Sequence, residues 1–295
     1  VFGADGPVDG SAADRVQPEQ GDVQREARLH GVEVHGEDLL DLVQPLVEAR
    51  PREVRGVRGS GLVAAGVEVS AQDPDEVVRR DSGLLLEILT PIIKAWGSDY
   101  SLKANELAMQ ILGGYGYTRE YPVEQNYRDN RINPIHEGTN GIQALDLLGR
   151  KAMMHDGAAL KLLLREIGAT CTEAAAMATL APLAQQLSQG MALAAATTRA
   201  VGQRMAAGEV RLALANASHY MTLLGHLVIG WTWLWQALVA ERALPAASGA
   251  DADFYRGKLQ ACRYYFATEL PLVEHVARLV QAAEPSAYAM QPEWF

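Results

Sequence analysis

The chain has 295 residues, 48% of them hydrophobic and 21% charged, enough for one large or two modest globular domains and incompatible with wholesale disorder. Two cysteines, Cys171 and Cys262, exclude a small disulfide-framed scaffold and any zinc-ligand spacing, and they point to a reduced, cytoplasmic compartment. A formal charge of −10 argues against the basic surface that nucleic acid requires, and no secretory signal is legible from Val1 onward.

Residues 1–82 differ in kind from the rest. They lack Lys, Ile, Met, Asn, Thr, Tyr, Trp and Cys, and 77 of the 82 are Val, Gly, Asp, Ala, Glu, Arg, Leu, Pro, Gln or His. The first five of these have codons beginning with G, and the others always or mostly have codons beginning with C. Reading the opposite strand of a GC-rich gene would produce that bias. The segment is therefore left unassigned, with mistranslation weighed against a genuine acidic, Gly/Val-rich stretch. It is expected to be irregular or disordered, with a short helical run at 39–47 and a strand-like run at 62–69. It carries 17 acidic and 9 basic side chains, so the remainder is nearly balanced.

From residue 83 onward the pattern is helical. Thr90 and Pro91 read as an N-cap and first-turn proline. Ile92, Ile93, Trp96, Leu107, Ile111 and Leu112 follow near a 3.6-residue period up to Gly113-Gly114. Residues 115–139, about 25 in number, hold too many turn formers to be one element, and ordered connections of that length are often functional. Beyond them the spacing predicts helices over 141–154, 158–167, 172–188 with a kink at Pro182, 191–205, 209–244 and 253–283. The expected fold is all-α, an antiparallel helix bundle over 83–155 followed by a second helical bundle over 156–295.

Residues 220–240 contain no Asp, Glu, Lys or Arg, and 21 such residues are long enough to span a bilayer. His226, Gln236 and two threonines lie inside the stretch, and no second span accompanies it. A buried bundle helix is the favoured reading, and Trp231, Trp233 and Trp235 cannot share one face of it.

The chemistry is concentrated around the long connection. Gly113, Gly114 and Gly116 permit close backbone approach and positive φ. Glu137 lies in a loop where partial burial would tune a carboxylate towards general-base work. Thr139, Asn140 and Gly141 open the next helix, where hydroxyl, amide and free N–H groups suit a negatively charged ligand. These residues alone leave enzyme, helical interaction module and membrane-anchored protein all open.

The run AMQILGGYGYTREYPVEQNYRDNRINPIHEGTNGIQALDLLGRK over 108–151 resembles the C-terminal α-domain of the flavin-dependent acyl-CoA dehydrogenases. Two further runs, 254–275 and 290–295, resemble the extra helical domain of long members of that family. The resemblance covers about residues 84–295 and none of 1–82. It implies α,β-dehydrogenation of an acyl-CoA thioester to a trans-2-enoyl-CoA, with FAD as cofactor and Glu137 as the base that removes the α-proton. It places Gln110, Gly113 and Gly114 against FAD, usually that of a neighbouring subunit, and so implies a homo-oligomer. Thr139 and Gly141 match positions near the flavin, and Gly138 matches one near the thioester. Arg128 and Asp129 match a motif read as a structural ion pair. Electron-transferring flavoprotein is the implied acceptor; no metal and no membrane span are implied.

Two departures stand beside the matches. His136 occupies a position where many relatives have Tyr. The family's N-terminal helical and middle β-domains, which hold much of the flavin and CoA, have no counterpart in this sequence. The expectation is an enzyme's C-terminal share with little dehydrogenase activity alone, the alternative being a catalytically inactive helical interaction module.

Overall fold

The computed structural model describes residues 74–294, and among these there is helix but no strand. The expected runs at 39–47 and 62–69 lie outside the described residues.

Helix α1 (Glu76–Ile111) starts at an N-cap aspartate. The carboxylate of Asp75 accepts from the amides of Val77 at 2.8 Å and Val78 at 3.4 Å. Two expectations are corrected. Residues 76–82 are helical rather than irregular, because Pro74-Asp75-Glu76 is itself a helix start. Pro91 lies inside α1 instead of opening a helix. An interior proline removes one helical N–H and costs about 3 kcal/mol. Here Pro91 is buried among the core contacts of Ile88, Leu89, Ile92 and Ala95, and Thr90 donates its hydroxyl to the Leu86 carbonyl at 2.6 Å. Tertiary packing outweighs the local break.

A tight turn follows over Gly113–Tyr117. The long connection contains a helix of its own, α2 (Val123–Asn130). Next comes α3 (Asn140–Asp146), capped by Thr139, and a wide π-type turn over Leu147–Lys151. The turn brings Lys151 into an ion pair with Glu87 of α1, and burial pushes the Lys151 ammonium below its usual range.

Helix α4 (Met154–Ala175) is interrupted near its start by three left-handed residues, His155, Asp156 and Gly157. Pro182 sits in the first turn of α5 (Ala181–Ala206), so the helix expected over 172–188 is two helices meeting at 176–180. The helices expected over 209–244 and 253–283 also divide. The first becomes α6 (Val210–Leu214) and α7 (Ala217–Ala243); the second becomes α8 (Gly249–Thr268) and α9 (Leu272–Ala282), with Pro271 at the α9 N-cap. A short α10 (Ser286–Ala289) follows.

Helix α7 is the post of the bundle. It packs against α1, α3, α4, α5, α8 and α9, and Tyr220, Leu223, Leu224, Leu227, Leu234 and Ala237 are fully buried. This stretch is long and apolar enough to cross a membrane, but it lies mostly buried inside the bundle, as the sequence reading favoured. Its tryptophans diverge. Trp231 donates to Thr170 of α4 at 2.8 Å, Trp233 lies under Lys258 of α8, and Trp235 is exposed. One core cluster joins Leu147, Leu163, Leu187, Leu227, Phe266 and Val273, continuous across residue 155. Both cysteines are buried and unpaired; burial raises the Cys171 thiol and pushes Cys262 up to about 12.

A polar knot ties α1 to α7 and α8. The Tyr265 hydroxyl donates to the His226 carbonyl at 2.9 Å, which leaves its oxygen to accept from His226 Nδ1 at 3.3 Å. The Tyr100 hydroxyl lies 3.0 Å from His226 Nε2 and 3.3 Å from Glu269 Oε2, so its one proton faces both acceptors. Burial holds His226 below its ordinary pKa and so favours the neutral imidazole, opposed by Glu269 and assisted by Lys103. Trp96 stacks on Tyr100 at 3.8 Å and fills the space over Gly225.

Because the unfolded imidazole takes up a proton more readily than the folded one, the stability His226 provides is complete above about pH 6.5 and declines below it. The Tm should fall by up to about 3 °C per pH unit between pH 6.5 and 5.5. His226→Gln should flatten that slope in a thermal melt. Gly225→Ala would place a Cβ inside the Trp96 ring, and denaturant unfolding should show a loss of about 1–3 kcal/mol.

Candidate active site

Glu137, Gly138, Thr139 and Gly141 come together where the chain turns from α2 into α3. Glu137 and Gly138 are both left-handed, with φ of 53° and 83°. Gly138 takes this conformation without strain, and a Cβ there would meet the Gln143 side-chain amide at 2.8 Å. For Glu137 the conformation costs about 1–2 kcal/mol, which the surroundings must supply.

They supply it through backbone carbonyls. Lys94 of α1 donates to the Gly138 carbonyl at 2.6 Å and to Asn140 Oδ1 at 3.1 Å. Gln143 Nε2 donates to the Glu137 carbonyl at 3.4 Å, and the Asn140 amide donates to the Pro134 carbonyl at 3.1 Å. Asn140 Nδ2 in turn donates to Asp99 at 2.7 Å and to the Ala95 carbonyl at 3.1 Å, which docks the start of α3 on α1. With the carbonyls engaged, the Glu137 carboxylate stays exposed rather than partly buried as expected.

Glu137 lines a cleft of about 270 Å³ with Lys94, Ser98, Ser101, Asn133 and His136. His136 bonds through Nδ1 to the Ile132 carbonyl at 3.1 Å. Thr139 is occupied in capping, its Oγ1 accepting from the Ile142 amide at 3.4 Å, and Gly141 is exposed. A carboxylate on such a rim, beside ammonium and hydroxyl groups, can accept a proton from a ligand lying across the cleft.

Gln110, Gly113 and Gly114 are elsewhere, exposed at the far end of α1. The helix between Lys94 and Gln110 spans about 24 Å at 1.5 Å per residue. One chain therefore does not unite the two groups. Gly113 has a φ of 57°, and a Cβ at Gly113 or Gly114 would meet open space. Gly116 is different: it is buried against the Met109 carbonyl, so its close approach serves the chain itself and not a ligand. Around this end Leu107 is 57% and Ile111 60% exposed, one turn apart on the same helical face, with Tyr115 and Tyr117 beside them.

The expected ion pair of Arg128 and Asp129 is not formed. Arg128 pairs instead with Glu124 one turn earlier at 2.7 Å, while Asp129 accepts from Gln125 at 2.6 Å. Lys94 was missed by the sequence reading. Its signal was the polar and small stripe Lys94, Gly97, Ser98, Ser101, spaced by three and four along α1. A second cavity of about 600 Å³, between the starts of α1 and α4, is lined by Arg80, Asp81, His155, Lys161 and Arg165 and contains none of the expected site residues.

Residues 75–153 match the family profile described as the acyl-CoA dehydrogenase C-terminal domain, and residues 163–291 match the one described as acetyl-CoA dehydrogenase C-terminal like. The chain belongs to the acyl-CoA dehydrogenase family. It is 33% identical over 257 residues to a 3-methylmercaptopropionyl-CoA dehydrogenase of Ruegeria pomeroyi, covering 86% of this chain and 40% of that one. It is 32% identical over 208 residues to a broad-specificity linear acyl-CoA dehydrogenase of Mycobacterium tuberculosis, covering 67% of this chain and 33% of that one. The chain thus spans two fifths or less of these curated relatives. An acyl-CoA dehydrogenase of Bacillus anthracis, solved in complex with FAD, has the same fold over 85% of this chain and 47% of its own, with a TM-score of 0.51 at 20% identity. The match begins at residue 75, ahead of the start at 84 that the resemblance suggested. The 86% share, too, is more than residues 83–295 supply alone, so similarity to the Ruegeria enzyme reaches into the compositionally distinct segment.

Proposed function

We propose that Glu137 is the α-proton base of an FAD-dependent acyl-CoA dehydrogenation, and that this chain supplies the helical C-terminal share of that catalytic unit. The observation that carries the reading is the strained Glu137–Gly138 turn, held against α1 so that a carboxylate stands free on a cleft. Strain of this kind persists where the surroundings hold it, and it clusters at functional sites. The Glu137 carboxylate accepts the α-proton while Gly138 lies beside the thioester and the serine hydroxyls of α1 bound the cleft. Fixing the base before substrate arrives removes the orientation cost from the reaction step.

The residues fit a flavin as one edge of its site. Gln110 offers an exposed amide, Gly113 and Gly114 open backbone, and Leu107, Ile111 and Tyr115 an apolar surface for a flat ring system; Thr139 and Gly141 would approach it from the Glu137 end. When bound, FAD supplies the two-electron acceptor for the hydride leaving the β-carbon. The distance of about 24 Å between the two groups favours completion of each site across two copies of the chain, with electron-transferring flavoprotein as the eventual acceptor and the cytoplasm as the compartment. The buried, unpaired cysteines suit that compartment.

The isolated chain is expected to retain little FAD and to show little turnover. Co-expressed with the N-terminal and β-domains of the Ruegeria relative, it should exchange the α-protons of butyryl-CoA for deuterium in D₂O, and Glu137→Gln should reduce that exchange by about 10²-fold or more. Undiminished exchange in the variant would sink the assignment. Leu107→Asp with Ile111→Asp should shift the chain to a smaller species in sedimentation velocity; an unchanged distribution would remove α1 from the assembly surface.

A further inference from the structure

We infer that Lys94 is a positioning residue for Glu137: its ammonium fixes the Gly138 carbonyl and the Asn140 amide oxygen, and so holds the left-handed turn that presents the carboxylate to the cleft. The inference rests on Glu137 as the base. A helical lysine ordinarily extends into water, but Lys94 is half-buried between Ile93 and the core residue Ala95. Its two bonds reach residues far along the chain, at 2.6 and 3.1 Å. Both are charge-assisted, the stronger class of hydrogen bond. The other tethers of the turn are neutral: Gln143 to the Glu137 carbonyl at 3.4 Å, and the Asn140 backbone amide to the Pro134 carbonyl at 3.1 Å.

One cation therefore supplies the charge-assisted part of the hold on the turn. A left-handed Glu137 relaxes towards ordinary backbone once its neighbour's carbonyl is released, because nothing intrinsic to glutamate favours positive φ. Asn140 transmits the same hold to α3, since the amide that accepts from Lys94 also donates to Asp99 and to the Ala95 carbonyl. Lys94, Gly138 and Asn140 thus act as a clamp whose two jaws are α1 and the start of α3.

The test replaces and then restores the ammonium. Lys94→Cys, alkylated with 2-bromoethylamine, regains a cation on a side chain of lysine length, and Cys171 and Cys262 are buried with raised thiol pKa values and stay unmodified in the folded chain. Amide hydrogen exchange read by mass spectrometry over residues 134–143 should speed up about tenfold or more in Lys94→Cys and return to within about twofold of the parent after alkylation. Peptides from α7 should exchange alike in all three, which separates release of the turn from unfolding. Lys94→Arg, a second variant that keeps a cation, should retain most of the protection. Exchange in Lys94→Cys equal to the parent, or an increase that alkylation does not reverse, would overturn the inference. No turnover enters this readout, so it stands or falls separately from the Glu137→Gln result.

Discussion

A helix that is apolar on every side must be surrounded, and α7 imposes that requirement on the rest of the chain. Six other helices meet it, and the order in which they do so decides where the polar groups can go. The one imidazole it carries inward, His226, has to be satisfied by side chains from two partners, Tyr100 and Tyr265. The one glycine at its contact with α1, Gly225, has to stay small because Trp96 lies over it. Burial thus fixes the height and rotation of α1 against the post, and α1 in turn carries Lys94 to the turn at Glu137.

The candidate site shows the opposite economy. Its carboxylate is exposed, and what is buried or half-buried is the apparatus behind it: Lys94, Asn140 and Ala95. A proton acceptor in water gains little from hydrogen bonds to its own oxygens, which would hold them away from a substrate. It gains from a backbone that cannot turn elsewhere. Placing the constraints on main-chain atoms leaves the side chain available and still limits its direction.

Much of this was legible in the residues. The helical character and the stop at Gly113-Gly114 follow from periodicity and turn chemistry. The run over 108–151 carried the family resemblance, and with it the expectation for Glu137. What was misread has physical causes. Pro91 looked like a beginning because local rules treat proline as a breaker, whereas the apolar contacts on both sides of it keep α1 whole. Pro182 reads as a kink and Pro271 is not singled out, and at each the chain ends one helix and starts another with the proline in its first turn or at its N-cap. Arg128 and Asp129 match a motif read as an ion pair, but each finds its partner one turn earlier on the same helix, Glu124 and Gln125. Lys94 escaped notice because a single lysine in a helix is commonplace, and only its long-range partners distinguish it.

The 36 residues of α1 form an unbroken rod that carries one group of site residues near its middle and the other at its end. Such a rod acts as a ruler and a protractor together. Deleting one residue between Lys94 and Gln110 would shorten it by about 1.5 Å but swing one end by about 100° relative to the other. Removing four would restore the direction to within about 40° at the expense of about 6 Å. Substitutions along that interval change surfaces, whereas insertions and deletions change bearings, so variation in the length of this segment should be far rarer among functional copies than variation in its composition.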